Sequence, residues 1–178
     1  MNYQYKIALS FASENEKLVE KVYHYLKSKQ IKVFFAPSPE GQIFLSGKNQ
    51  REAFYDVFGN KSEYVALFVS KYYITKEIPI EEASIAFAEH ADNSSVIPIY
   101  LDGAALPSDL FDPKSTNYFK SNNPAQIAKH LSEKIKLSNN FRQNIDDYEK
   151  EVNIMNIENN KGHNQTFINK MNGNIIYE

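Results

Sequence analysis

The sequence predicts an α/β protein built on a doubly wound, mostly parallel sheet. Three observations carry that prediction. Short apolar runs rich in strand formers alternate with segments whose apolar residues recur at helical spacing, in the order β-α-β-α-β-α-β and, last, α. One run, Val65-Ala66-Leu67-Phe68-Val69, is continuously apolar and too short for a helix, so it reads as a central strand covered on both faces. Pro, Gly, Asn and Ser cluster between the runs, where turns are needed.

Taken in order, YKIALSF (Tyr5 to Phe11) is the first strand, its apolar run ending at Ser10. Asn15 to Lys29 is the first helix, with Leu18, Val22, Tyr25 and Leu26 on its apolar face. Ile31 to Ala36 is the second strand, and PSPEGQIFLSGKN after it carries the punctuation of a long loop. Connections of that length serve as binding loops or are plain surface insertions. Arg51 to Phe58 is a short helix with Phe54 and Phe58 on one side, followed by a Gly59-Asn60-Lys61 turn into the central strand. Ser70 ends that strand. Pro79 fits the first helical position, which puts Glu81 and Glu82 in the first turn of a helix running through Ala83, Ala86, Phe87 and His90 and closed by Asp92-Asn93-Ser94-Ser95. Ser95 to Leu101 is the next strand; Pro98 inside it is tolerated at an edge or a bulge and argues against full pairing. Asp102 to Asn122 reads as irregular, and Asn123-Pro124 caps a last helix lined by Ile127, Leu131 and Ile135.

The core domain is expected to span residues 1–137. Beyond it, residues 138–178 turn Asn-rich, with 11 Asn among the last 40 residues. Phe141, Ile145, Tyr148, Val152 and Met155 follow the spacing of a coiled-coil seam, and Asn172-Gly173 between two apolar stretches is a hairpin signal, with a disordered tail as the alternative.

Composition excludes several functions. A formal net charge of −2 provides no basic field for nucleic acid, and no apolar run approaches the ~20 residues of a membrane span. The absence of cysteine removes disulfides, thiolate metal sites and cysteine nucleophiles. His24, His90, His130 and His163 stand at no metal-ligand spacing, and Gly41, Gly47 and Gly59 are too dispersed for a phosphate-binding loop. No metal and no cofactor are therefore expected. The first residues lack a basic stretch followed by a long apolar one, so the expected compartment is the cytoplasm.

The adjacent Glu81 and Glu82 admit two readings. Acids near a helix start are favoured by the helix dipole and need no further role. A glutamate just past a strand-to-helix loop also stands at the carboxyl edge of a parallel sheet, where ligands bind, and could stabilise a cation formed in a bound substrate.

With these segments in hand, the chain resembles the Toll/interleukin-1 receptor (TIR) domains, the bacterial kind in particular, over roughly Tyr5 to Leu137. YKIALSFASENEKLVEKVYHYL is similar to the family's first strand and helix, and KVFFAP with the later Leu45-Ser46-Gly47-Lys48 to its second strand and loop. GNKSEYVALFVSKYYITKEIPIEEASIAF follows the family's central strand, its Ser-Lys-x-Tyr and the Glu four residues after a Trp; Ile78 stands at the Trp position and Glu82 at the Glu position. VIPIYLDGAALP resembles the fourth strand. Ala36 stands where the family has Asp, and Ser46 where Trp is common.

The resemblance implies a flavodoxin-like, five-stranded sheet and an enzyme that cleaves the nicotinamide-ribose bond of NAD+. It implies Glu82 as the catalytic glutamate, Ser10, Phe11 and Ala12 as the turn that meets substrate, and Phe35 on the strand leading into the covering loop. Gly47 is then the loop glycine, and Ile78 lines the pocket. It further implies homo-oligomerisation through TIR surfaces and the tail, an upstream sensor protein and a role in bacterial defence. The departures at Ile78, Ala36 and Ser46 point to a pocket completed by a partner chain, and Ile78 is the feature that favours a non-enzymatic adaptor instead. A third reading is another glutamate-dependent enzyme of similar build that acts on nucleosides.

Overall fold

The computed structural model describes residues 3–90, 94–111 and 117–140. β1 (Tyr5–Phe11) leads through a 3-10 turn (Ser13–Asn15) into α1 (Glu16–Ser28), and then come β2 (Val33–Phe34), α2 (Pro39–Leu45) and α3 (Gln50–Phe54). A π-helical segment (Tyr55–Lys61) delivers the chain to β3 (Ser62–Val69), and a second 3-10 turn (Tyr73–Thr75) to α4 (Glu77–His90). β4 (Val96–Tyr100), β5 (Phe119–Lys120) and α5 (residues 124–140) follow. The strands pair in the order β2-β1-β3-β4-β5, every pair parallel. That is the doubly wound sheet in its flavodoxin-like order, with β3 at the centre.

β3 is buried along its whole length, as a strand covered on both faces must be. Its Val65, Leu67 and Val69 share one core cluster with Phe54, Val57 and Phe58 from the segment before it and Ala83 and Ala86 from α4. Ala66 and Phe68, of opposite parity, are equally inaccessible and supply the other face.

Several sequence expectations need correction. The buried stripe of α1 is Val19, Val22, Tyr23 and Leu26, spaced i, i+3, i+4, i+7, so the helix is turned slightly from the expected face and Leu18 and Tyr25 flank it. β2 is two residues long rather than six. The expected long loop contains α2: the Ser38 side chain accepts from Gly41 N–H as an N-cap, and Pro39 sits where its missing N–H costs nothing. Gly41 marks no break in this helix but a close approach, since a Cβ there would run into the Phe35 carbonyl oxygen. The Gly59-Asn60-Lys61 turn is the end of the π-helical segment, with Lys61 Nζ 2.6 Å from Asp56 Oδ2.

α4 begins two residues earlier than expected, which makes Pro79 its third residue and moves Glu81 and Glu82 into the second turn. A proline is tolerated there because the first four N–H groups of a helix have no intrahelical acceptor. β4 is not an edge strand, for β3 and β5 flank it. Tyr100 O accepts from Ser121 N on the β5 side, so Pro98, two residues earlier, turns its missing donor toward the same side, and the two-residue β5 reaches only Ile99 and Tyr100. The proline thus limits pairing on one side instead of making an edge. β5 lies within the stretch expected to be irregular. Asn123 caps α5 as expected, its Oδ1 accepting from Ala125 N and Gln126 N. The expected helix closure at Asp92-Asn93, the seam from Phe141 and the hairpin at Asn172-Gly173 lie outside the described residues. Residues Met1–Ser132 form one compact unit, and the site belongs to it.

Candidate active site

From β1 the chain winds out to β2 and then crosses back to β3 on the other side of β1. The crevice beyond the carboxyl ends of β1 and β3 is therefore the switch point at which open α/β sheets bind ligands. Three side chains meet there. Ser10, near the end of β1, donates its hydroxyl proton to Glu82 Oε2 over 2.6 Å, and its Oγ lies 2.7 Å from Tyr73 Oη. Ser10 and Tyr73 are wholly inaccessible and Glu82 is 8% exposed.

Glu82 faces inward because of its place in α4. The buried residues of that helix are Pro79, Glu82, Ala83, Ala86 and His90, a stripe in which the small alanines bring helix and sheet together and Glu82 occupies a core position. Glu81, one residue earlier, lies off the stripe. It pairs with Arg51 Nε at 3.1 Å and lines an open cleft of ≈ 730 Å³ with Lys48, Asp56 and Ile85. Adjacent in sequence, the two carboxylates have opposite environments.

Burial pushes the Glu82 carboxyl up to about 8, opposed by the Ser10 hydrogen bond and reinforced by the charge of Glu81. Tyr73 is raised well above its ordinary value, first by burial and then by Glu82, so its hydroxyl keeps its proton. The loops around the trio are pinned. Ser70 Oγ donates to Asn15 Oδ1 at 2.7 Å and accepts from Tyr73 N at 3.2 Å, joining the end of β3 to the start of α1 and to the 3-10 turn. Lys76 Nζ reaches Ser13 Oγ at 2.8 Å and Glu14 Oε2 at 2.6 Å, tying the entry of α4 to the turn after β1 and holding Glu14 below its usual range.

Of the residues singled out from the sequence, Ser10 and Glu82 are in direct contact. Phe11 stacks on Phe35 at 5.4 Å and Phe35 on Tyr23 at 4.8 Å; Phe35 is buried, so it supports Phe11 rather than presenting itself to a ligand. Ala12 is buried beside Phe11. Gly47 lies outside the cluster, exposed between α2 and α3. With φ +73° and Lys48 N bonded to Leu45 O, it fills the glycine position of a type II turn. Ile78 is 43% exposed and stands one helical turn before Glu82. Tyr73 has no role in the sequence reading, because a tyrosine among apolar neighbours looks like core; the Ser70-Lys71-x-Tyr73 motif was its one signal.

Among the described residues no group of three or more His, Asp or Glu is placed to hold a metal ion. His90 contacts the Phe58 carbonyl at 2.9 Å, and His130 stacks on Phe119 at 4.1 Å. No helix among the described residues is long and apolar enough to cross a membrane.

The fold is similar to that of the TIR domain of the Toll-related receptor TRR-2 from Hydra magnipapillata, with a TM-score of 0.59 and 15% identity over 74% of this chain and 98% of that one. It is also similar to a metazoan TIR-STING receptor from C. gigas, with a TM-score of 0.56 and 20% identity over 73% of this chain and 41% of that one. In sequence, the chain is 32% identical over 148 residues to a protein of Aquimarina amphilecti named 3' cyclic ADP-D-ribose synthase AaTIR. That match takes in 80% of this chain but 43% of the relative, so the chain spans less than half of that protein's length. A family model of the TIR domain matches residues 7–145, most of the chain, which therefore belongs to the TIR-domain family.

Proposed function

We propose that this protein cleaves the nicotinamide-ribose bond of NAD+ and that Glu82 is the carboxylate that does it. One observation carries the reading: an acid buried to 8% exposure at the switch point of the sheet, held by a hydroxyl at 2.6 Å. A glutamate in a core position costs stability and calls for a reason. The Aquimarina relative's name supports the same substrate class.

The chemistry asks little else of the protein. Nicotinamide in NAD+ is a pyridinium, so when the C1′–N bond breaks the electron pair goes to nitrogen and a neutral ring departs without a general acid. The barrier lies in the oxocarbenium-like ribose, which a fixed carboxylate stabilises more than it does the ground state. Glycosidases meet the same kind of transition state with carboxylates. Water attacking C1′ and losing a proton gives ADP-ribose; a nucleophile within the same substrate gives a cyclic ADP-ribose, the outcome the relative's name suggests. Burial disfavours the charged form of Glu82 in the free protein. The positive pyridinium arriving beside it favours the carboxylate, so substrate itself helps to charge the site.

On this reading the protein is an assembly-gated effector of bacterial defence that acts as a homo-oligomer responding to an upstream sensor. Ile78, which offers no flat ring for stacking, favours a second reading, a scaffold without activity. Incubation with NAD+ at high protein concentration, followed by chromatography of the products, separates the two. Glu82→Gln should abolish cleavage, with a loss on the order of 10² to 10³ or more, and Glu81→Gln should have a mild effect. Intact NAD+ after prolonged incubation of associated, folded protein would favour the scaffold.

A further inference from the structure

We propose that Tyr73 is a positioning residue for Glu82, acting through the Ser10 hydroxyl. The inference rests on the assignment of Glu82 as the catalytic carboxylate.

Counting protons fixes the direction of the chain. A carboxylate can only accept, so with Glu82 charged the single Ser10 proton goes to Oε2, 2.6 Å away. Ser10 then has none left for its 2.7 Å contact with Tyr73, and Tyr73 must be the donor. The order is Tyr73 O–H to Ser10 O–H to the Glu82 carboxylate. A serine hydroxyl otherwise turns freely about its Cβ–Oγ bond. With the tyrosine proton occupying a lone pair of Oγ, the serine proton is aimed at the carboxylate, and each donation polarises the next.

The tyrosine is poorly explained as packing. Phe54 and Phe58 in the same core cluster fill space without a hydroxyl, whereas Tyr73 carries one into a wholly inaccessible position, where it must be satisfied. Its backbone is set by the Ser70 contact to its N–H, so the reach of the phenol toward Ser10 is fixed from the end of β3. The other charged groups nearby are committed elsewhere or work against ionisation. Glu81, on the same helix, pairs with Arg51 from α3, and Lys76 is engaged by Glu14 from the turn after β1. Burial and Glu81 disfavour a charged Glu82, and Ser10 favours it. Whatever aims Ser10 therefore governs how readily Glu82 becomes the base form the reaction requires.

The test compares wild type, Tyr73→Phe, Ser10→Ala, the double variant and Glu82→Gln as full-length proteins, measuring NAD+ cleavage as a function of pH. Tyr73→Phe should lower kcat on the order of 10-fold, leave KM unchanged and move the acid limb of the profile to higher pH. Because the tyrosine acts through the serine, Tyr73→Phe on the Ser10→Ala background should add nothing, whereas a merely structural role would add its full effect. Should Tyr73→Phe fail to fold, ortho-fluorotyrosine at position 73 keeps the packing and strengthens the donor, and it should move the acid limb the other way. An unmoved profile and additive losses, with Glu82→Gln inactive, overturn the proposal and leave the assignment of Glu82 standing. A fully active Glu82→Gln overturns both.

Discussion

On the proposed function, Glu82 sets a balance between stability and chemistry at a single residue. In the folded chain its carboxyl stays protonated up to about 8, against an ordinary 4.5. Between those values the folded state binds a proton that the unfolded state has released, so stability is greatest at the acid end of the window and falls as pH rises through it. The loss is on the order of a few kcal/mol. Melting curves across that window should show the wild-type midpoint declining toward alkaline pH and Glu82→Gln nearly flat. Over the same window kcat/KM should rise toward about 8, since it follows the free enzyme's ionisation. Ile78 provides a second test at this scale. It is 43% exposed, so Ile78→Trp should fold normally and, with a flat ring one turn before Glu82, hold or raise the rate of NAD+ cleavage. A well-folded Trp variant that lost activity would place position 78 outside the pocket.

At the scale of the element, the end of α1 offers a direct measurement. Gln30 N bonds to Lys27 O and Ile31 N to Leu26 O, the paired bonds of a Schellman motif, and Gln30 takes the left-handed conformation at φ 61°. A glutamine pays about 1 kcal/mol or more for that geometry, which glycine adopts without the Cβ clash. Gln30→Gly should therefore raise the melting temperature by a few degrees and leave activity alone. Elements specified by their own residues were legible in the sequence. β3 declared itself by a continuous apolar run, and α5 by Asn123-Pro124. Elements decided by the rest of the fold were not. α2 was hidden because Pro39 and Gly41 also mark loops, and only the Phe35 carbonyl against Gly41 reveals why a glycine sits inside a helix. The face of α1 was misread because its neighbouring apolar residues give two nearly equivalent stripes. Glu82 was separated from Glu81 by resemblance, and the structure adds the physical difference that one lies in the buried stripe of α4. Tyr73 escaped because its hydroxyl's partner, Ser10, is distant in sequence.

The whole molecule raises the question of access. One chain leaves Glu82 only 8% exposed, in the helix whose entry Lys76 ties to the turn after β1. A substrate must either open that region or meet a chain in which a neighbour has opened it, and a neighbour that stabilises the open form removes an ordering cost. Specific activity should accordingly rise with protein concentration, in step with light scattering. Constant specific activity in a strictly monomeric protein would exclude gating by association.

The sheet also limits how copies can meet. Its two outer strands, β2 and β5, are two residues long each, and on the β5 side of β4 Pro98 has no N–H to give. Among the described residues an approaching strand finds almost no ladder to extend, which is how natural proteins keep exposed edges from recruiting other chains into a continuous, amyloid-like sheet. Copies of this domain that meet at these edges find side chains, not a strand ladder, to recognise. A patch of side chains can be remodelled or screened by salt, so crowding that switches such an assembly on can be followed by dilution that switches it off.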